Sequence, residues 1–478
     1  MSVKFQRLLM FMAAIMLAIT TFTACDEGED GGSGNSSGKG NVYVDKQGGS
    51  TTRFETLPLA IKSIKTAGNY TVRVGGNQRI GAEDQMNIGS GSVSGINVTI
   101  KAESQTVEIT INSEYNGHIL FYLSGNNTLT FGKGITLKGR GQQFGDQAIW
   151  IYQGALVIDE GVTITGFGGV IESAIPAVII SNGSFTLNGG EIKDNYYTGA
   201  LLENSDFIMN SGLISGNKMH GIDMNTGTFT LNNGTISKNE ALGGNSWPMG
   251  RGGGIAIYNG KFIMNNGLIT ENAAIQGGGV DISFSEFTMN GGTISKNAAK
   301  GLGLLQGGGV YCQGGWNQSE HIFPHIGTFI MKGGTITENT ANYGGGVFID
   351  CGTIQSPCGG RLIMEGGSII KNTARYGGGL YIEGISSMSG GMIDENTAEV
   401  FGGGVFVYDS TKSIFTKNGG GTITGEDRAN GNRALEPLSY PGQKPGHAVM
   451  SGSGQKNNTV EPPQNLDSSK VGPAGGWD

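Results

Sequence analysis

The sequence predicts an all-β protein, a right-handed parallel β-helix with a short N-terminal capping helix. Three observations carry that expectation. Glycine supplies 88 of the 478 residues without a strict three-residue period, which indicates a chain rich in turns and excludes collagen. Charged residues make up 15% of the chain, against roughly 25% in ordinary soluble domains, so the polar surface is carried by Asn, Ser, Thr and Gly. Finally, one short motif recurs along more than half of the chain, the signature of a solenoid.

Taken from the N-terminus, Lys4 and Arg7 precede the apolar run Leu8 to Ile19, which is too short for a comfortable bilayer span and has the charge placement of a secretory leader. Residues 1–24 are read as that leader. It ends in Phe22-Thr23-Ala24-Cys25, which is similar to the lipobox of bacterial lipoproteins, and that resemblance implies lipidation at Cys25 and hence attachment to a membrane. Residues 25–40 are too polar and Gly-rich to order themselves and are read as a flexible tether.

Residues 41–95 are read as an N-terminal cap. Val42-Tyr43-Val44 is a short strand. Thr56 then stands where a helix N-cap belongs, Pro58 falls in the first turn, and Leu57, Ala60, Ile61 and Ile64 make one apolar stripe before Gly68. Tyr70 to Val74 alternates like a strand. A helix laid over the first coil would cover backbone and side chains that a bare solenoid end exposes.

Residues 96–450 are read as the β-helix. Its motif is clearest in Phe185-Thr186-Leu187-Asn188-Gly189-Gly190-Glu191-Ile192-Lys193-Asp194-Asn195, with counterparts beginning at Phe207, Phe229, Phe262, Phe287, Phe329 and Leu362. Each closes on Asn, at Asn195, Asn217, Asn239, Asn272, Asn297, Asn339 and Asn372, and Asn396 continues the series; the gaps are 22, 22, 33, 25, 42, 33 and 24. A basal period of 22 fits one coil of three short strands, and the longer gaps fit that coil with loop insertions. Less regular coils start at Leu129 and Leu156, and Val98 to Ile111 supplies the first ones. About 12 coils are expected in all, spanning on the order of 50 to 60 Å.

Within the motif the apolar residues at the first and third positions, and the later Ile, point inward, while alternating Thr and Asn face out. The Asn-Gly or Gly-Gly pair turns the corner. The closing Asn residues are expected to form a structural ladder, because an amide carries both a donor and an acceptor. A second series of triple glycines, from Gly252-Gly253-Gly254 to Gly402-Gly403-Gly404, marks another corner and leads into strands such as Val347-Phe348-Ile349. Residues 451–478 lack an apolar period and are read as a C-terminal cover or tail.

The formal charge of -8 offers no field that would gather a phosphate backbone, so nucleic acid is not an expected partner. Cys351 and Cys358 bracket a short loop and are the first candidates for a disulfide in an oxidising compartment; Cys312 with Cys351, and free thiols, are the alternatives. Insertions around Trp247, Trp316 and Pro357-Cys358 are expected to expose recognition residues on one flank, as loops on a rigid scaffold tend to do.

Phe22-Thr23-Ala24-Cys25 resembles the lipobox of bacterial lipoproteins, and Asp26-Glu27 with Glu29-Asp30 resembles the acidic signals that sort some of them outward. Gly252-Gly253-Gly254-Ile255-Ala256-Ile257, Gly291-Gly292-Thr293-Ile294 and their counterparts resemble the repeats of bacterial surface β-helix proteins. That group includes the chlamydial polymorphic outer-membrane proteins and the repeat lipoproteins of spirochaetes and Bacteroidetes. The resemblance covers roughly residues 95–450. It implies a lipid-anchored place at the outer membrane or cell surface, and adhesion or ligand presentation toward glycans or host and matrix proteins.

Similar pectate-lyase-like solenoids house polysaccharide lyases and glycoside hydrolases, which makes an enzyme the alternative and a purely structural envelope protein the third reading. Catalysis of that kind needs paired carboxyl groups, or a base with a metal or Arg. Asp223, Asp281, Asp350 and Asp409 follow strand segments but stand in different registers, and the Asn-Thr-Asp and Gly-His-Gly motifs of polygalacturonases are missing. His321 and His325 are four apart in an insertion that also holds Pro324, which favours a plain loop over a metal pair. No catalytic residue, metal or cofactor is assigned, and the reading leans away from an enzyme.

Overall fold

The structure is a computed structural model that describes residues 41–467 apart from 82–83, 90–92, 113–117, 170–174, 244–249, 315–325, 353–358, 409–412, 418–419, 425–430, 436–448, 452–453 and 457–463. The described residues are nearly all β, and most pairings are parallel, between a strand and its counterpart one repeat later. A typical coil has three strands, here called a, b and c, exemplified by Val178–Ser181, Ser184–Leu187 and Glu191–Lys193. The a and b strands share one sheet because several coils run them as one continuous strand, as in Ile222–Leu231 and Ile255–Met264. The c strands form a separate sheet of 13.

A fourth short strand, d, is present in seven coils, from Glu240–Ala241 to Arg433–Ala434. This corrects the expectation of three strands per coil. It follows the ladder Asn in the pattern Asn-x-Ala, where a small side chain fits the tight space at Ala241, Ala274, Ala299, Ala374, Ala398 and Ala434, all buried.

Register explains why the motif repeats. Phe185 lies over Phe207, then Phe229, Phe262, Phe287 and Phe329, with ring centroids 4.4 to 4.9 Å apart and nearly parallel planes. That spacing is the distance between strands, so backbone pairing and ring stacking are satisfied together. Ile192, Ile214, Ile236, Ile269, Ile294, Ile336 and Ile369 form a matching file in the c sheet, all buried. Replacing a central ring by Ala would cost about 3–5 kcal/mol.

At the b-to-c corner Gly234 has φ +109, and a Cβ there would meet the Met209 Cε at 2.5 Å and the Gly212 carbonyl at 2.9 Å, so only glycine fits. After strand c the residue before the ladder Asn is left-handed without being glycine in six successive coils, at Lys238, Glu271, Lys296, Glu338, Lys371 and Glu395. These six alternate in sign. Lys238 pairs with Glu271 at 3.8 Å, Lys296 with Glu338 at 3.8 Å and Lys371 with Glu395 at 3.7 Å, all exposed but for the half-buried Glu395.

Both ends depart from parallel stacking. Val42–Lys46 pairs antiparallel with Thr51–Phe54 and with Gly68–Val74. The helix Leu57–Ser63, capped by Thr56, buries Leu57, Ala60 and Ile61 and stops at Ile64, whose extended backbone carries the chain toward Gly68. Gly68–Val74 already pairs parallel with Ile96–Ala102, so stacking begins ahead of residue 96. At the other end Gly454–Lys456 and Gln464–Asp467 pair antiparallel with Val449–Ser451 and Ile414–Lys417.

Candidate functional site

The ladder residues Asn195, Asn217, Asn239, Asn272, Asn297, Asn339, Asn372 and Asn396 are buried in the wall of the stack. Each Nδ2 donates to the Oδ1 of the next Asn at 2.8 to 3.0 Å and to an Ile carbonyl one coil back, while that same Oδ1 also accepts the preceding Asn backbone N–H. Asn432 is a ninth member, reached from Asn396 at 2.9 Å. These amides are saturated by one another and present nothing to a ligand.

The outward side of the a strands is different. Inward positions there are apolar from coil to coil, such as Ile255 and Ile257, Val280 and Ile282, Val347 and Ile349. Outward, the fourth position runs in register through Glu203, Asn225, Tyr258, Ser283, Gln313 and Asp350. Glu383 and Tyr408 extend the same file, following Ile382 and Val407, which pair with Ile349 and with each other. Ser283 is buried, Tyr408 is 45% exposed, and the other members are partly exposed.

Beside this file the second outward position carries Asp223, Ala256, Asp281, Tyr311, Phe348, Tyr381 and Phe406. Its later members pack with Phe401 and the partly buried Tyr343 and Tyr376 of the d strands into a second aromatic cluster. Asp223 and Asp281 therefore share one file and Asp350 stands in the neighbouring one. Asp409, His321, His325 and His447 lie outside the described residues.

Arg251 joins the two files. Its Nη1 donates to Gln313 Oε1 at 2.7 Å and to Ser283 Oγ at 3.1 Å, lies 3.9 Å from Asp281 Oδ2, and its guanidinium sits 5.3 Å over the Tyr311 ring. Ser283 Oγ donates to Asp281 Oδ1 at 2.7 Å, whereas Asp281 Oδ2 accepts no hydrogen bond among the described residues. Burial raises the Asp281 carboxyl above its ordinary value, with Arg251 pulling the other way. Tyr311 donates its hydroxyl to Asp350 Oδ2, and the Gly352 N–H donates to Asp350 Oδ1 at 2.8 Å. Burial, and then the charge of Asp350, push Glu383 up to about 7.

Cys351 is disulfide-bonded. Cys312 is a free, fully buried thiol pushed up to about 12 by burial, so the alternative pairing of Cys312 with Cys351 is corrected. Cys312 points into the core from an inward a position, where its partner would have to be Ile349. Cys358, Trp247, Trp316 and Cys25 lie outside the described residues. The insertion holding Trp247 precedes the a strand Ile255–Met264, whereas those holding Trp316 and Cys358 follow the a strands Val310–Gln313 and Val347–Asp350.

Arg251, Tyr311 and Glu383 were not singled out from sequence. Counting four residues past each third glycine, from Gly254 to Tyr258 and so on to Gly404 and Tyr408, would have exposed six of the eight members of the outward file. Among the described residues no group of three or more His, Cys, Asp or Glu side chains is placed to hold a metal ion, and no helix is long and apolar enough to cross a membrane. No family model matches the chain, and neither a curated protein nor a solved structure matches it.

Proposed function

We propose that this chain is a lipid-anchored, surface-displayed right-handed parallel β-helix that holds a ligand against the outward face of its a strands. The observation that carries the binding reading is the contrast between the two sides of those strands: the inward side repeats apolar residues, while the outward file changes from Glu203 to Tyr408 and mixes acids, amides and rings. Departures from an otherwise consistent pattern concentrate where a protein does its work. The right hand follows the strong preference of parallel crossover connections. Anchoring through Cys25 at the outer membrane or cell surface rests on the leader and the lipobox-like Phe22-Thr23-Ala24-Cys25.

Adhesion or ligand presentation is then the role, with glycans or host and matrix proteins as partners. The test is binding of the full chain to cells and glycan arrays beside a Tyr258→Ala, Tyr408→Ala double variant. Loss of binding with unchanged circular dichroism is expected; equal binding by the variant would remove the outward face from the reading.

A glycoside hydrolase is the second reading, favoured by Asp350 and Glu383 standing at neighbouring positions of one file with Glu383 held up to about 7. Release of reducing ends from a bound glycan, abolished in Glu383→Gln, would establish it; binding without release would dismiss it.

A further inference from the structure

We infer that the ligand of the outward face is an extended glycan bearing free amino groups, laid along the stack from Glu203 to Tyr408. This rests on the binding reading above and narrows it to one chemistry.

Shape comes first. Eight side chains from successive a strands stand in one straight file, and strand spacing makes that file roughly 34 Å long. Such a row suits a linear polymer better than a compact small molecule. Charge comes second. The ionisable acids of the file are Glu203, Asp350 and Glu383, and none of its members is a Lys or Arg. The cation that reaches it, Arg251, is held beside Asp281 at 3.9 Å. A polyuronate would therefore meet net repulsion, whereas ammonium groups would meet charge-assisted acceptors and the faces of Tyr258 and Tyr408.

The remaining members fit sugar hydroxyls. Asn225 and Gln313 offer both donors and acceptors, and the tyrosine rings give flat surfaces against which a pyranose can lie. A basic peptide fits less well. The a strands within the stack are paired on both sides, as Val280–Ser283 is with Ile255–Met264 and Val310–Gln313, so no sheet edge is open to satisfy an added peptide backbone.

The experiment is calorimetric titration of the full chain with a glucosamine hexamer, its fully N-acetylated counterpart, hexagalacturonate and a lysine hexapeptide. The glucosamine hexamer should bind, the N-acetylated form about tenfold more weakly, and hexagalacturonate not at all, with binding weakened by added salt. Glu203→Gln with Glu383→Gln should weaken the glucosamine hexamer by about tenfold, and Tyr408→Ala, at an exposed site, should do the same with unchanged circular dichroism. Equal affinity for the N-acetylated hexamer, preference for the peptide, or variants that bind like the parent would overturn the inference. If a different probe binds in a manner lost with Tyr408→Ala, the amino-glycan assignment falls and the binding face stands. If neither probes nor cells engage the face, both fall.

Discussion

The side-chain amide of Asn297 donates to Asn339 Oδ1 at 3.0 Å across 42 residues of chain, and Asn195 makes the same bond to Asn217 at 2.9 Å across 22. Coil length changes and the bond does not. The wall therefore tolerates added chain wherever an Asn still returns to the file.

Asn297→Ala is expected to destabilise the protein by about 3 kcal/mol, because in a buried place it orphans the backbone N–H of Asn272 and takes one partner each from the Asn272 amide and from Asn339 Oδ1. Asn290 forms an exposed bond of the same kind to Asn265 at 2.8 Å, and Asn290→Ala should cost under about 0.5 kcal/mol. Urea unfolding of the pair checks this; similar losses would show that burial is not what gives the inner ladder its strength.

Ser386 occupies the file that Phe residues fill elsewhere, between Leu362 and Phe415, and its buried Oγ has no hydrogen-bond partner among the described residues. Ser386→Val removes an unsatisfied hydroxyl and adds apolar volume. A gain of roughly 1–2 kcal/mol is expected. A lower urea midpoint than the parent would contradict it.

Glu383 gives a pH dependence of definite sign. Its carboxyl rises on folding from the ordinary 4.5 to about 7, through burial and then Asp350. Between those values the folded chain keeps a proton that the unfolded chain releases, so stability falls as pH rises through this window and stays reduced above it. Glu383→Gln should therefore exceed the parent at pH 8 by roughly 1–3 kcal/mol and match it near pH 4. Parallel melting-temperature curves for the two proteins across that range would refute the account.

Cys351 is bonded while Cys312 is free. Peptide mapping without reduction should recover Cys351 joined to Cys358 and an unmodified Cys312, which alkylates only after unfolding. Recovery of Cys351 joined to any other cysteine would count against closure of that short loop.

Much of the stack was legible because its inner positions obey one rule at every coil. Phe at the motif start, Ile seven later and Asn ten later each face a copy of themselves, so the alignment of the sequence is the register of the sheets. The d strands were harder to read, being as short as two residues, as in Ala273–Ala274, with only Asn-x-Ala to announce them. Asn432 escaped because it is spaced 36 from Asn396 and stands 17 residues after Phe415 where the motif has ten. The outward face was least legible, since its residues obey no repeat. Arg251 meets Ser283 and Gln313 across 32 and 62 residues, a proximity that only the stacking order reveals.

A chain made of near copies could wind correctly yet be out of step, with one coil seated where its neighbour belongs and the Phe and Ile files equally content. The column from Lys238 through Glu271, Lys296, Glu338 and Lys371 to Glu395 distinguishes the two outcomes: displacement by a single coil would bring ammonium over ammonium and carboxylate over carboxylate. Loss of one coil from the middle would leave a mismatch of the same kind, whereas loss of two would restore the order. The protein thus carries a parity check on its own winding, written in residues that contribute little to holding any one coil in place.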